Sequence, residues 1–104
     1  MSKKKFNCQP INLTQFRYGK IALRFKKPRK FIPRVNDTGR LVVIDDGYLG
    51  LVGVHGHSRR ELIKELKIWL VILWHDYVLE KDKALSPEAR KIKKHLLRQL
   101  EQIS

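Results

Sequence analysis

The residues of this 104-residue chain whose types suit chemistry are its four histidines, its paired aspartates and its cations. His55 and His57 stand two apart, so on an extended segment their rings share a face and could ligate a metal. Asp45 and Asp46 would add carboxylates if the intervening hairpin folded back. A hairpin, however, places its turn at the end opposite His55, and Asp45-Asp46-Gly47 is ordinary tight-turn chemistry. No nucleophile, base and orienting group stand together. The expectation is a non-catalytic protein with no cofactor. His75 and His95 fall in helical patterns and read as packing or surface groups, and Trp69 and Trp74 as core aromatics before stacking platforms. Gly50, Gly53 and Gly56 are three apart, but apolar Leu51, Val52 and Val54 between them suit a strand and bend better than a phosphate loop.

The cations are the more informative set. The chain carries 23 Lys plus Arg against 10 Asp plus Glu, formally +13, and residues 1–34 hold eleven basic residues and no acidic one. Such a surplus concentrates polyanions at the surface. Arg24, Lys26, Lys27, Arg29, Lys30 and Arg34 with Phe31 among them form the candidate surface, since Lys and Arg around an aromatic suit a nucleic-acid backbone with a base stack. Arg59 and Arg60, beside the free amides of a helix start, could hold one further phosphate. Lys91, Lys94 and Arg98 would add a second strip if they share a side with the sheet's outer face.

The elements that position these groups follow from periodicity. Ser58-Arg59-Arg60-Glu61 fits a capping box. Behind it Leu62, Leu66, Trp69, Leu70, Leu73 and Tyr77 repeat every three or four residues, one apolar stripe of a helix. From Ile68 onward the helix is apolar nearly all round and needs two covers. The run Ile68–Trp74 falls far short of the ~20 residues of a membrane span. Lys20–Lys26 alternates as a half-buried strand with a basic outer face. Phe31–Val35 resumes as an edge or bulged strand because Pro33 removes a ladder donor. Asn36-Asp37-Thr38-Gly39 is a turn, Leu41–Ile44 a strand, and Tyr48–Val54 its returning partner. Ser86-Pro87-Glu88 starts a second helix whose stripe is Ala89, Ile92, Leu96, Leu100 and Ile103. Residues 1–15 read as a flexible basic segment and 16–104 as one domain. The fold class expected is α+β: an antiparallel sheet of three to four strands, a long capped helix packed on one face, and a C-terminal helix.

Gly53-Val54-His55-Gly56-His57-Ser58-Arg59-Arg60-Glu61 after a hairpin and before a long helix resembles the HicB-like antitoxin domain, in which a G-x-x-G-x-(T/S)-x-x-E strand closes a small β-β-β-α unit. The resemblance covers about residues 20–78. It differs at Leu62, where the family has a small residue, and only one helix follows where many members carry a DNA-binding region. It implies an antitoxin-like subunit that binds and masks a partner protein such as a toxin.

Two functional expectations follow. The first is a HicB-like module that contacts nucleic acid, DNA or RNA, or a nucleic-acid-associated complex through its basic face; the second is the antitoxin-like protein-interaction subunit. Either accommodates a homodimer using apolar surface on Ile63, Ile68 and Trp74. The single cysteine, Cys8, forms no intramolecular disulfide, and Met1-Ser2-Lys3-Lys4-Lys5 is not followed by the roughly 7–15-residue apolar stretch of a signal peptide. A cytoplasmic protein without membrane contact is expected.

Overall fold

A computed structural model describes residues 7–43 and 48–103. Chain order is β1 (Ile11–Tyr18), β2 (Ile21–Phe31), β3 (Pro33–Val35), β4 (Leu41–Val43), β5 (His55–Gly56), α1 (Arg59–Leu73), α2 (Pro87–Gln99) and β6 (Leu100–Gln102). The strands make two antiparallel three-stranded sheets, ordered β1-β2-β6 and β3-β4-β5. The chain crosses between them at Ile32. The protein is thus α+β with antiparallel sheets and two helices, but among the described residues six strands in two sheets replace the single sheet expected.

The first sheet is built on a strand that the alternation pattern conceals. β1 starts at Ile11, inside the segment expected to be flexible, and buries Ile11, Leu13 and Phe16. Tyr18 pairs with Ile21 across the two-residue turn Gly19-Lys20. Gly19 has φ +62°, the left-handed value that a type II′ hairpin takes at its first central position. Leu13 opposes Arg29 whereas Gln15 opposes Arg24, so two steps on β1 face five on β2. The surplus lies at Lys26-Lys27-Pro28, where Pro28 has no N–H to give the ladder. In the second sheet, Pro33 lies on edge strand β3, as its missing donor requires. The turn after β3 is held by Asn36, whose Oδ1 accepts from Thr38 N–H (3.1 Å), Thr38 Oγ1–H (2.8 Å) and Arg40 N–H (2.9 Å).

The strand expected over Tyr48–Val54 does not form. Tyr48–Gly50 is a turn, Leu51 makes only an isolated bridge, and β4 pairs instead with His55–Gly56. Leu49, Leu51 and Val54 are buried all the same, so the segment works as an apolar flap. A Cβ on Gly50 would meet Ile92 of α2 at 3.2 Å and Leu73 of α1 at 3.4 Å, which places the flap between the helices. Residues 44–47, including Asp45-Asp46-Gly47, lie outside the described residues.

Helix α1 opens as its sequence demands: Ser58 is extended (φ −149°, ψ 165°) and its Oγ accepts from Glu61 N–H at 3.1 Å. Leu62, Leu66, Leu70 and Leu73 are buried, but Trp69, placed by period in the same stripe, is 44% exposed. Val71 and Trp74, outside that stripe, are both 4% exposed. The apolar-all-round stretch is therefore covered on more than one side. Past Leu73 the helix widens into a π turn, Trp74–Val78, closed by Leu79 N–H to Trp74 O at 3.1 Å. α2 packs against this turn and β2, while the strands β1, β4 and β5 pack on α1.

α2 starts at Ser86, whose Oγ accepts from Ala89 N–H at 3.1 Å, with Pro87 at its first position. Its apolar period predicts a helix that runs to Ile103. Instead Leu100 turns extended (φ −125°, ψ 158°) and pairs with Phe25, with Glu101 opposite Arg24 and Gln102 opposite Leu23. The exposed edge of β2 offers Leu100–Gln102 a ladder that further helix would not. The connector before α2 is tied by Lys93, whose Nζ meets Asp82 Oδ1 at 2.8 Å and Glu80 O at 2.7 Å. The hydrogen bond and charge of Lys93 hold the Asp82 carboxyl below its ordinary pKa.

One glycine is required for space alone. A Cβ on Gly56 would stand 2.6 Å from Leu62 N, because β5 lies directly on the first turn of α1. Gly56→Ala is expected to lower stability by about 3 kcal/mol, the upper range of overpacking costs. Gly53 has open space and φ +69°, which asparagine tolerates. Gly53→Asn should remain within about 1 kcal/mol of the parent. Urea unfolding followed by tryptophan fluorescence checks both, and equal midpoints for the two variants would refute the close approach.

Candidate functional site

The basic run of β2 and β3 divides into cations bound within the fold and cations left on the surface. Arg24 forms an ion pair with Glu101 of β6, Nη2 to Oε1 at 2.7 Å, and donates from Nε to the same oxygen at 2.9 Å. Lys26 Nζ donates to Leu97 O at 2.8 Å, in the last turn of α2, where a cation satisfies an otherwise open carbonyl. Arg29 Nη1 reaches Gln99 Oε1 at 3.4 Å, and its guanidinium lies 5.8 Å from the Phe31 ring centre. Lys27, Lys30 and Arg34 are exposed.

Phe31 is not a surface platform. It is 4% exposed and its ring lies 6.2 Å from that of Phe25, in an aromatic row continued by Phe16. No base can stack on it without opening the core. The sequence-predicted surface is thus three exposed cations and three internal ties, without its aromatic.

Arg59 also has a structural task. Its Nη1 donates to Asn7 O (3.1 Å) and Gln9 O (2.6 Å), and its Nη2 to Pro10 O (3.1 Å), which fastens the chain entering β1 to the start of α1. Arg60 is exposed and opens onto something the sequence reading missed. Between the end of β1 and the outer flank of α1 runs an open groove of about 730 Å³. Arg17, Arg59, Arg60, Lys64 and Lys67 line it together with the apolar side chains of Tyr18, Ile63 and Ile68. Arg60, Lys64 and Lys67 occupy positions i, i+4 and i+7 of one helix, so they form a line about 10 Å long. That spacing is visible in the sequence. The approach of Arg17 and Tyr18 to the line is tertiary and is not.

The histidines do not assemble. His55 is exposed with Nδ1 2.8 Å from Gly53 O; His75 lies beside Asp76 at 3.1 Å; His95 stacks on Tyr48 with ring centres 3.6 Å apart. Among the described residues no three His, Cys, Asp or Glu side chains gather as metal ligands, and Asp45 and Asp46 lie outside that set. Lys91, Lys94 and Arg98 are exposed on α2. Of the apolar residues expected to serve a dimer, Trp74 is buried, while Ile63 and Ile68 line the groove. No helix among the described residues is long and apolar enough to cross a membrane. No protein-family model, curated protein or solved structure matches the chain.

Arg59→Lys replaces a planar fork that serves three carbonyls with a point donor. The expected cost is about 1 kcal/mol, read as a melting point lower by roughly 4–8 °C, with faster hydrogen exchange in the first residues of β1. Unchanged exchange there would mean that the N-terminal strand holds without this tie.

Proposed function

We propose that the protein is a small non-catalytic module of the cytoplasm that binds nucleic acid through the groove between β1 and α1, with Lys27, Lys30 and Arg34 as a flanking basic surface. One observation carries this reading: the described residues lining the groove bring five cations, Arg59 among them already tied to the N-terminal chain, and no carboxylate beside an apolar lining. Protein surfaces that must avoid polyanions interleave the two signs; a one-sign groove gathers phosphate. The helical line sharpens the argument. Arg60 and Lys64 are like charges at i, i+4, a pairing that weakens a helix by about 0.2–0.5 kcal/mol. A bound phosphate backbone would turn that repulsion into attraction.

A second reading has its own observation. Trp69 is 44% exposed and Val52 71% exposed, around a cleft of about 240 Å³ shared with Leu73 and Tyr77. This apolar patch suits a protein partner or a second copy, the antitoxin-like role that the HicB-like motif suggests. The motif itself, Gly53 to Glu61, has local uses that any fold could need: Ser58 caps α1, and Gly56 clears its first turn. We place the masking role second for that reason.

Salt separates the two readings. Fluorescence anisotropy with short DNA and RNA from 50 to 300 mM salt should show affinity that falls steeply. Replacing Arg60, Lys64 and Lys67 together by Ala should weaken binding roughly tenfold at low salt and flatten the log–log slope by about 2, three phosphates at ~0.7 each. Absence of binding at low salt would end the nucleic-acid reading. Trp69→Ala should leave nucleic-acid affinity unchanged; should it instead abolish a dimer detected by sedimentation, the apolar cleft is the interface.

A further inference from the structure

We infer that the groove takes an unpaired nucleotide, with its base on the exposed Tyr18 ring and the adjoining phosphates along Arg60, Lys64 and Lys67. The inference rests on the nucleic-acid reading above and deepens it from polyanion to single strand. Three features of the groove select this occupant.

The first is its apolar lining. A duplex presents phosphates and groove edges to a protein and keeps its base faces stacked inside. Contact with duplex backbone needs cations only, as at the exposed Lys27 and Lys30. The groove instead joins its cations to an apolar lining, with Tyr18 48% exposed and Ile63 and Ile68 half-buried. An exposed aromatic ring beside a line of cations is the arrangement by which single strands are held, with the base stacked on the ring and the backbone against the charges.

The second is the way the two sides are fixed. Tyr18 is the last residue of β1 and pairs with Ile21 at the tight Gly19-Lys20 turn, so its backbone is set by the hairpin. The α1 wall is set by the Leu62, Leu66 and Leu70 stripe, each 0% exposed. Both sides of the groove are therefore held by the fold itself and do not depend on a ligand to form.

The third is sign. The groove lacks a carboxylate among its described lining residues, so a ligand with acceptor groups along one edge and an apolar face on the other complements it. An acidic peptide supplies the charge but not the flat apolar face beside every charge.

The test uses the full chain and fluorescent oligonucleotides of equal length at fixed low salt: a single strand, its duplex, and a single strand whose central positions are abasic. The expected order is single strand tightest, with both the duplex and the abasic strand about tenfold weaker. Tyr18→Ala should lose roughly tenfold for the single strand only, the size of one base–aromatic contact, while Tyr18→Phe retains the affinity. Circular dichroism confirms that each variant is folded, and Ile68→Ser probes the apolar lining from the helix side. Equal affinity for the intact and abasic strands, or full binding by folded Tyr18→Ala, overturns the inference while leaving salt-dependent nucleic-acid binding in place. Loss of binding to all three oligonucleotides overturns the earlier reading. Polyglutamate competing as well as the single strand shows that the groove reads charge alone and also overturns the inference.

Discussion

Burial of α1 in more than one direction is the constraint on which the rest of the molecule depends. Leu62, Leu66 and Leu70 are fully buried, and each contributes about 1.5–3 kcal/mol of transfer free energy. Val71 and Trp74 are buried as well, and Val71 points about 140° round the helix from Leu66. One sheet cannot cover both directions. The strands of both sheets take the leucine stripe; the flap from Leu49 to Val54 and the second helix take the C-terminal end. The fold then closes on itself. α2 passes into β6, which pairs with β2, and Gln102 of that strand accepts from the Trp74 indole N–H at 2.9 Å. Covering the end of α1 and completing the first sheet are one arrangement.

The net charge of +13 acquires meaning only after its cations are sorted by what they touch. Arg24, Lys26 and Lys93 join distant parts of the chain, and Arg59 ties the N-terminal strand to α1. Exposed ties of this kind are worth little each, about 0–1 kcal/mol, but they place the guanidinium or ammonium and reduce its readiness to meet a ligand. Lys26 has the further logic of a cation at the C-terminal end of a helix dipole. The line Arg60, Lys64, Lys67 is different, since its members face one another with the same sign. Within the helix that repulsion is offset in part by Glu61, which stands three residues before Lys64.

What the sequence discloses is what is encoded locally. Both helix caps, the Asn36–Gly39 turn and the edge position of Pro33 need only neighbouring residues, and each is legible. β1 is hidden because its buried positions, 11, 13 and 16, slip out of alternation where the register with β2 shifts. β6 is hidden because Leu96, Leu100 and Ile103 continue a helical period with neither Gly nor Pro to stop it; the free edge of β2 decides the conformation. Phe31 shows the reverse error. It keeps the parity of Leu23 and Phe25 and so belongs to the core face, but Lys27-Pro28 between them reads as a break, and the cations around Phe31 suggest a surface. At the groove, Arg60 was within reach of the pattern and so were Lys64 and Lys67 at helical spacing. Arg17 and Tyr18 join them only through packing.

The groove exists because the two covers of α1 differ in extent. The sheets follow the leucine stripe from Leu62 onward, whereas α2 reaches only the π turn from Trp74 to Val78. The outer flank of α1 before that point carries Ile63 and Ile68 at its borders and charges along its middle. Apolar side chains left half-buried at such a border are surface that the fold itself does not complete, and water gains nothing from them. The cations beside them keep that surface soluble and exclude another basic chain, including a second copy meeting it groove to groove. The same geometry that leaves the helix incompletely covered therefore also sets the charge of the surface left open.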